Sequence, residues 1–279
     1  MPASQPPFFR SVLALVVLGG VAPAAQAACP TTMPDGIFKD CISSELAGLY
    51  GAVVAAIETT NALQETVDEQ AAYIDALEAY LSVDTASDSV VFTGANVYVQ
   101  SGSGETDGDV NGLGNLIVGY NEDISSADDR TGSHNIVVGY EHSYSSFGGL
   151  VVGYNNTISG VYSSVTGGDS NVASGSYSTV AGGNYSTASG TEGSVFGAYE
   201  GVANAEYSTV VGGEYNTASA QYAVVIGGND NVASSDYALV AGGHDNTASG
   251  DASLAAGGSY NNASDTDGSV FGGTSTSAR

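Results

Sequence analysis

The sequence predicts a mainly β chain: a parallel β-roll, or β-solenoid, of 15-residue repeats preceded by an α-helical coiled-coil stem. Three observations carry this. A unit with an aliphatic residue at its fourth place and, in all but one copy, glycine at its seventh starts at residue 147 and again at 162, 177, 192, 207, 222, 237, 252 and 267. Residues 42–83 lack proline and space their apolar residues about 3.5 apart, the seam of a coiled coil. Charged residues are only 12% of the chain and Gly numbers 39, so its polar bulk is turn chemistry rather than a disordered acidic tail.

At the N-terminus, Arg10 precedes the apolar run Val12–Val21, and "AQA" at 25–27 offers small residues for cleavage. Residues 1–27 read as a signal peptide, which places the mature chain outside the cell, secreted or at a cell surface. That apolar run is too short to span a bilayer, and no transmembrane segment is expected in the mature chain. Cys29 and Cys41 are the only cysteines. In an exported chain the default is a disulfide closing residues 28–41. The alternative is a lipidated Cys29, which would leave Cys41 unpaired; "QAA" before Cys29 lacks the aliphatic residue such sites carry.

In the stem, Leu46, Val53, Thr60, Val67, Ile74 and Leu81 share one heptad place, and Leu49, Ala56, Leu63, Gln70 and Leu77 the other. An amphipathic helix packed on a globular domain is the competing reading. The seam alone does not choose between dimer and trimer. Residues 84–132 join stem to repeats as a β collar with a first irregular coil. "SVVFTGANVYVQSG" alternates as a strand pair would, and the collar is expected to cap the first coil.

Residues 133–279 hold the regular repeats. The predicted core rows are Val165, Val180, Val195, Val210, Val225, Val240 and Val270 at place four, and Ala173, Ala188, Ala218, Ala233 and Ala248 at place twelve. Leu150 stands at place four of the first unit. The predicted turns use Gly168, Gly183, Gly213, Gly228, Gly243 and Gly258 at place seven, where Gly admits positive φ or close backbone approach. Asn171, Asn216, Asn231 and Asn246 at place ten are suited to an amide ladder or a left-handed turn. "STVVG" and "NTAS" are the predicted strands. So narrow a coil gains about 1–2 kcal/mol per buried Val against roughly 1–2 kcal/mol per ordered residue. Association of several rolls would stabilise each.

This "YSTVAGGNYSTASG" style of repeat resembles the YadA-like heads of trimeric autotransporter adhesins over about residues 133–279. The resemblance implies a left-handed parallel β-roll, a trimer, an extracellular place and adhesion. In those adhesins the head precedes the stalk and a membrane-anchoring β-barrel follows. Here the helix comes first and no barrel strands follow "GGTSTSAR", so self-translocation and outer-membrane anchoring do not carry over.

Tyr162, Tyr177, Tyr207, Tyr222 and Tyr237 share place one and should form a ladder, either packed at a corner or exposed for glycan or surface contact. A net charge of −26 repels nucleic acid. "DGDVNG" starts like a calcium loop with Asp107, Asp109 and Asn111, but Val118 stands where the twelfth-place Glu belongs; Asp123 or Asp129 could complete a looser site. No other cofactor is expected. His134, His142 and His244 lack metal spacing, and there is no G-x-S-x-G elbow or phosphate loop. The sequence thus predicts a non-enzymatic adhesive or structural protein forming homo-oligomers, with an extracellular glycan or matrix component as partner. The rivals are a glycan- or Ca²⁺-binding module and, less well supported, a polysaccharide-acting solenoid enzyme, because the acids are scattered. An ice-binding face ranks low for want of a regular Thr-x-Thr row.

Overall fold

The computed structural model describes Cys29, residues 34–123 and residues 128–278. The stretch read as a signal peptide, 1–27, lies outside the described residues. The chain divides into two compact units, one reaching Asn96 and the other starting at Val97.

The first unit is built on α1, Asp35–Glu78, with Asp35 in its first turn against the positive end of the helix dipole. The helix starts before residue 42, so Cys41 lies on it and bonds back to Cys29 across a Cα–Cα distance of 6.0 Å. It also ends before residue 83. Leu81, counted above as a seam residue, instead opens β1, Leu81–Asp84, which pairs antiparallel with β2, Ser89–Phe92. The reason is local. Asp84 accepts hydrogen bonds from the Ala86 N–H at 2.9 Å and the Ser87 hydroxyl at 2.8 Å, closing a turn that folds the chain back. These bonds, Ser87 first, hold the Asp84 carboxyl below its usual range. "SVVF" therefore pairs backwards with β1 and not forwards with Val97–Val99. None of α1 is buried, and Leu46, Leu49, Leu63, Ile74 and Leu77 all lie open. By length and composition alone α1 also qualifies as a membrane-crossing helix.

The second unit is a parallel β-solenoid. Among the described residues it has one sheet of 11 strands and one of 10, each coil giving one strand to each over most of its length. Thr209–Val211 and Thr217–Ala218 show the pattern: the first pairs with Val224–Ile226 and the second with Val232–Ala233, the matching segments of the next coil. The predicted rows fill the interior. Val165, Val180, Val195, Val210, Val225 and Val240 are fully buried, as are Ala173, Ala188, Ala218, Ala233 and Ala248, with Val270 nearly so.

Register changes once near the start. Val137 pairs with Val151 and Val151 with Val165, a spacing shorter by one than that of Val165 to Val180, which later coils keep. The core residue of that coil is thus Val151, which is buried, and not Leu150, which faces outward. The added residue is the first Gly of the Gly-Gly pair. Val151–Tyr154 spans what Val165–Asp169 spans, since Tyr154 bridges to Asp169. One unpaired residue in one strand is a bulge, repeated from there in every coil.

Leu116–Val118 pairs with Ile136–Val138 and supplies the first, looser coil. Its insertion is tied down by Arg130, which donates to the carbonyls of Asn121, Glu122 and His142 and pairs with Asp128 at 2.9 Å. Residues 101–115 bond to the same coil. The Ser101 N–H donates to His134 Nε2, the His134 ring meets the Thr106 carbonyl through Nδ1, and Asn115 Nδ2 donates to the Gly132 carbonyl.

Candidate functional site

Alternation along each strand sends place four inward and places three and five outward. In the 11-stranded sheet the place-five row is apolar from Ala181 to Phe271, whereas the place-three row is Ser164, Thr179, Ser194 and Thr209 before it turns apolar at Val224, Leu239 and Leu254. Phe196, Val211 and Ile226 lie side by side in register, as do Val224, Leu239 and Leu254. Phe196, Val211 and Ile226 are 42%, 40% and 47% exposed, and a separate apolar pair, Ile136 and Leu150, opens the place-three register at the start of the stack. A two-residue period over "TVV", "VVI" and "LVA" carries the signal for this face, but only a known register separates its outward row from the core row. Across the solenoid, the 10-stranded sheet turns Thr, Val and Ser outward, as at Thr217, Val232 and Thr247 with Ser219, Ser234 and Ser249. The large outward apolar side chains of the later coils, Phe196, Val211, Ile226, Leu239 and Leu254, thus gather on the 11-stranded face, and the opposite face is mainly hydroxylated.

The corners hold the aromatic residues. Place one and place nine adopt the left-handed conformation in coil after coil with side chains other than Gly: Tyr162, Tyr177, Tyr207, Tyr222 and Tyr237 have φ between 57° and 59°. This conformation costs an L-residue roughly 1–2 kcal/mol, and sequence reasoning placed it at the place-seven Gly or the place-ten Asn. Ring stacking offsets part of the cost. Tyr207–Tyr222 and Tyr222–Tyr237 are parallel stacks with centroids 4.8 and 4.9 Å apart, and Tyr162–Tyr177 stack at 5.4 Å. Tyr177 and Tyr237 are mostly exposed at their edges. The rings cover one another's faces, so the C–H stacking surface a sugar needs is open only at stack ends. The Glu192 and Glu206 carboxylates, in that order, push the Tyr207 phenol pKa up.

The predicted turn residues take two distinct roles. Gly213 has φ 78°, and a Cβ there would strike the Gly228 carbonyl and the Asn216 amide. The place-ten Asn residues are buried and form a ladder. Asn231 N–H donates to Asn216 Oδ1 at 3.0 Å, and Asn231 Nδ2 donates to the Gly243 carbonyl at 3.0 Å. Asn171 and Asn246 repeat this geometry. His142 takes the equivalent place one coil before Asn156. It is 1% exposed, accepts the Asn156 N–H at Nδ1, and donates from Nε2 to the Val138 carbonyl.

Asp107, Asp109 and Asn111 are exposed. Asn111 Oδ1 is engaged by the Leu113 N–H and the Ser133 hydroxyl. Among the described residues, the one group of three His, Cys, Asp or Glu with ligand atoms within 4.8 Å is Cys29, Cys41 and Glu45, whose sulfurs are already joined to each other.

No family profile matches the chain, and no curated protein matches it either.

Proposed function

We propose that this is an exported, non-enzymatic adhesive or structural surface protein that works as a homo-oligomer of solenoids, three copies packed through the outer face of the 11-stranded sheet. The observation that carries the reading is that face: Phe196, Val211 and Ile226 lie open in register, beside the half-buried Leu239 and Leu254, in a chain otherwise studded with carboxylates. Open apolar surface of this kind marks contact with a partner. The α1 seam supports the same reading from the other unit, since a 44-residue helix with no buried residue lacks an internal packing partner. The hydroxylated sheet and the acidic, tyrosine-bearing corners would then face outward, towards an extracellular glycan or matrix component.

The test is sedimentation of the chain from residue 28 onward, beside the pair Val211→Asp with Ile226→Asp. Outward positions spare the coil interior, so the double variant should keep its circular dichroism spectrum and lose trimer. A monomeric parent, or a variant still trimeric through its solenoid after α1 is removed, would sink the proposed interface. Adhesion is tested separately by retention of the trimer on immobilised extracellular matrix. Equal retention of an unrelated acidic trimer would count against it.

A further inference from the structure

The Tyr207–Tyr222–Tyr237 stack has a chemistry that a packing role does not use. The chain has no Trp, Cys29 and Cys41 are bonded to each other, and both Met residues, Met1 and Met33, lie outside the described residues. Tyrosine is therefore the side chain of the solenoid that gives up one electron most readily. In this stack three phenols are parallel within 4° and 12°, at centroid distances of 4.8 and 4.9 Å. Their backbones are tied to the coil rise, because the N–H groups of Tyr207, Tyr222 and Tyr237 donate to the carbonyls of Thr191, Glu206 and Gln221 in the preceding coil. The backbone bonds hold neighbouring rings at the coil spacing, and Tyr222 and Tyr237 are 40% and 60% exposed with Tyr207 half-buried. Other aromatic contacts are less suited. Tyr185–Tyr199–Tyr215 meet edge to face, and Tyr140–Tyr154 are 5.5 Å apart.

We propose that Tyr207, Tyr222 and Tyr237 form an oxidative cross-linking site, where neighbouring phenols join through their ortho carbons when a haem peroxidase and hydrogen peroxide act on the protein. Each phenol loses one electron to the oxidised haem and one proton from its hydroxyl. That proton passes to solvent water, beside the Glu192 and Glu206 carboxylates that lie near the Tyr207 phenol. Two phenoxyl radicals then pair to form one carbon–carbon bond, and each displaced ortho hydrogen moves to the oxygen of its own ring. Two phenols and one peroxide thereby give one biphenol and two waters. The exposed edge leaves room for the rings to tilt as the bond forms. The product rivets one coil to the next from outside, in a solenoid whose apolar interior is mostly Val and Ala.

The experiment oxidises the dilute full-length chain with a haem peroxidase and limiting peroxide, then measures intact mass and digests after acidic residues. The expected product is a monomer lighter by two hydrogens, in which the peptide 207–214 or 237–245 is joined to 215–230. Tyr222→Phe keeps the stacked ring and should remove both joins without changing the circular dichroism spectrum. Tyr207→Phe and Tyr237→Phe should each remove one join and leave the other, which holds the test open should Tyr222→Phe misfold. Joins that persist in Tyr222→Phe, cross-links confined to other tyrosines, covalent oligomers without a light monomer, or no cross-link at all would each overturn the proposal.

Discussion

Ala198 and Gly201 explain each other. In six of the nine coils Gly occupies place seven and Asn place ten, because the Asn amide fills the space where a place-seven Cβ would stand, as at Gly213 and Asn216. Ala198 brings a Cβ to place seven, and Gly201 is the residue that leaves room for it: a Cβ at 201 would lie 2.6 Å from that of Ala198. The ladder is bridged there by Ser186, whose hydroxyl accepts the Gly201 N–H at 3.2 Å. Gly201→Asn alone is expected to lower stability by about 1–3 kcal/mol, the usual cost of overpacking. Ala198→Gly with Gly201→Asn should recover most of that loss, as read by urea melts of both variants. A double variant no better than the single one would refute the coupling. His142 makes a second prediction. Burial, aided by the Arg130 guanidinium, lowers its pKa below the ordinary value of 6.5. The unfolded chain therefore binds more protons than the folded chain below that pH. Stability should fall as pH drops below about 6.5 towards the lowered pKa, by about 1.4 kcal/mol per pH unit within that window. His142→Asn, matching the Asn156 pattern, should remove this component, as read by urea melts between about pH 7 and pH 5.

At the scale of elements, the two units use opposite strategies. Apart from the first, Leu116–Val118, each solenoid strand whose burial is described buries one side chain or two, yet it is paired on both edges through most of the stack. α1 satisfies its own backbone over 44 residues and buries nothing. Helix stability in water comes mostly from packing an apolar face, so the seam of Leu49, Val53, Leu63 and Leu77 is what remains to be covered. A peptide spanning 35–78, with Cys41 replaced by Ser, should gain helicity as its concentration rises, and Leu49→Ser with Leu63→Ser should flatten that dependence. Helicity independent of concentration in water, with strong partition into lipid vesicles, would assign α1 to a membrane instead.

For the whole molecule, near-identical coils make stability a sum over neighbours. Excision of residues 222–236 joins Gln221 to Tyr237, places Tyr237 where Tyr222 stood, and brings Val240 into the row of Val225. The shortened protein should fold with an unchanged β spectrum and only a modestly lower melting temperature. Excision of residues 222–229 removes half a coil, sets strands of one sheet against those of the other, and should abolish cooperative melting. Equal tolerance of the two deletions would contradict a coil-by-coil stack.

The repeat period, the inward Val and Ala rows and the helical stem were all legible in the sequence, because each follows from a local rule: a repeat length, a strand alternation, a heptad spacing. The Cys29–Cys41 pairing followed from there being two cysteines. Other features depended on contacts between coils that no single coil contains. These include tyrosine in left-handed corners, the choice of amide ladder over left-handed turn for the place-ten Asn, the Ala198–Gly201 exchange and the shift from Leu150 to Val151. The early end of α1 arose the same way, since Leu81 meets Phe92 only after the chain has turned at Asp84. A residue's intrinsic preference is visible along the chain. At a corner repeated every coil, the neighbour above and below sets the balance, and that neighbour stands a full coil away along the chain.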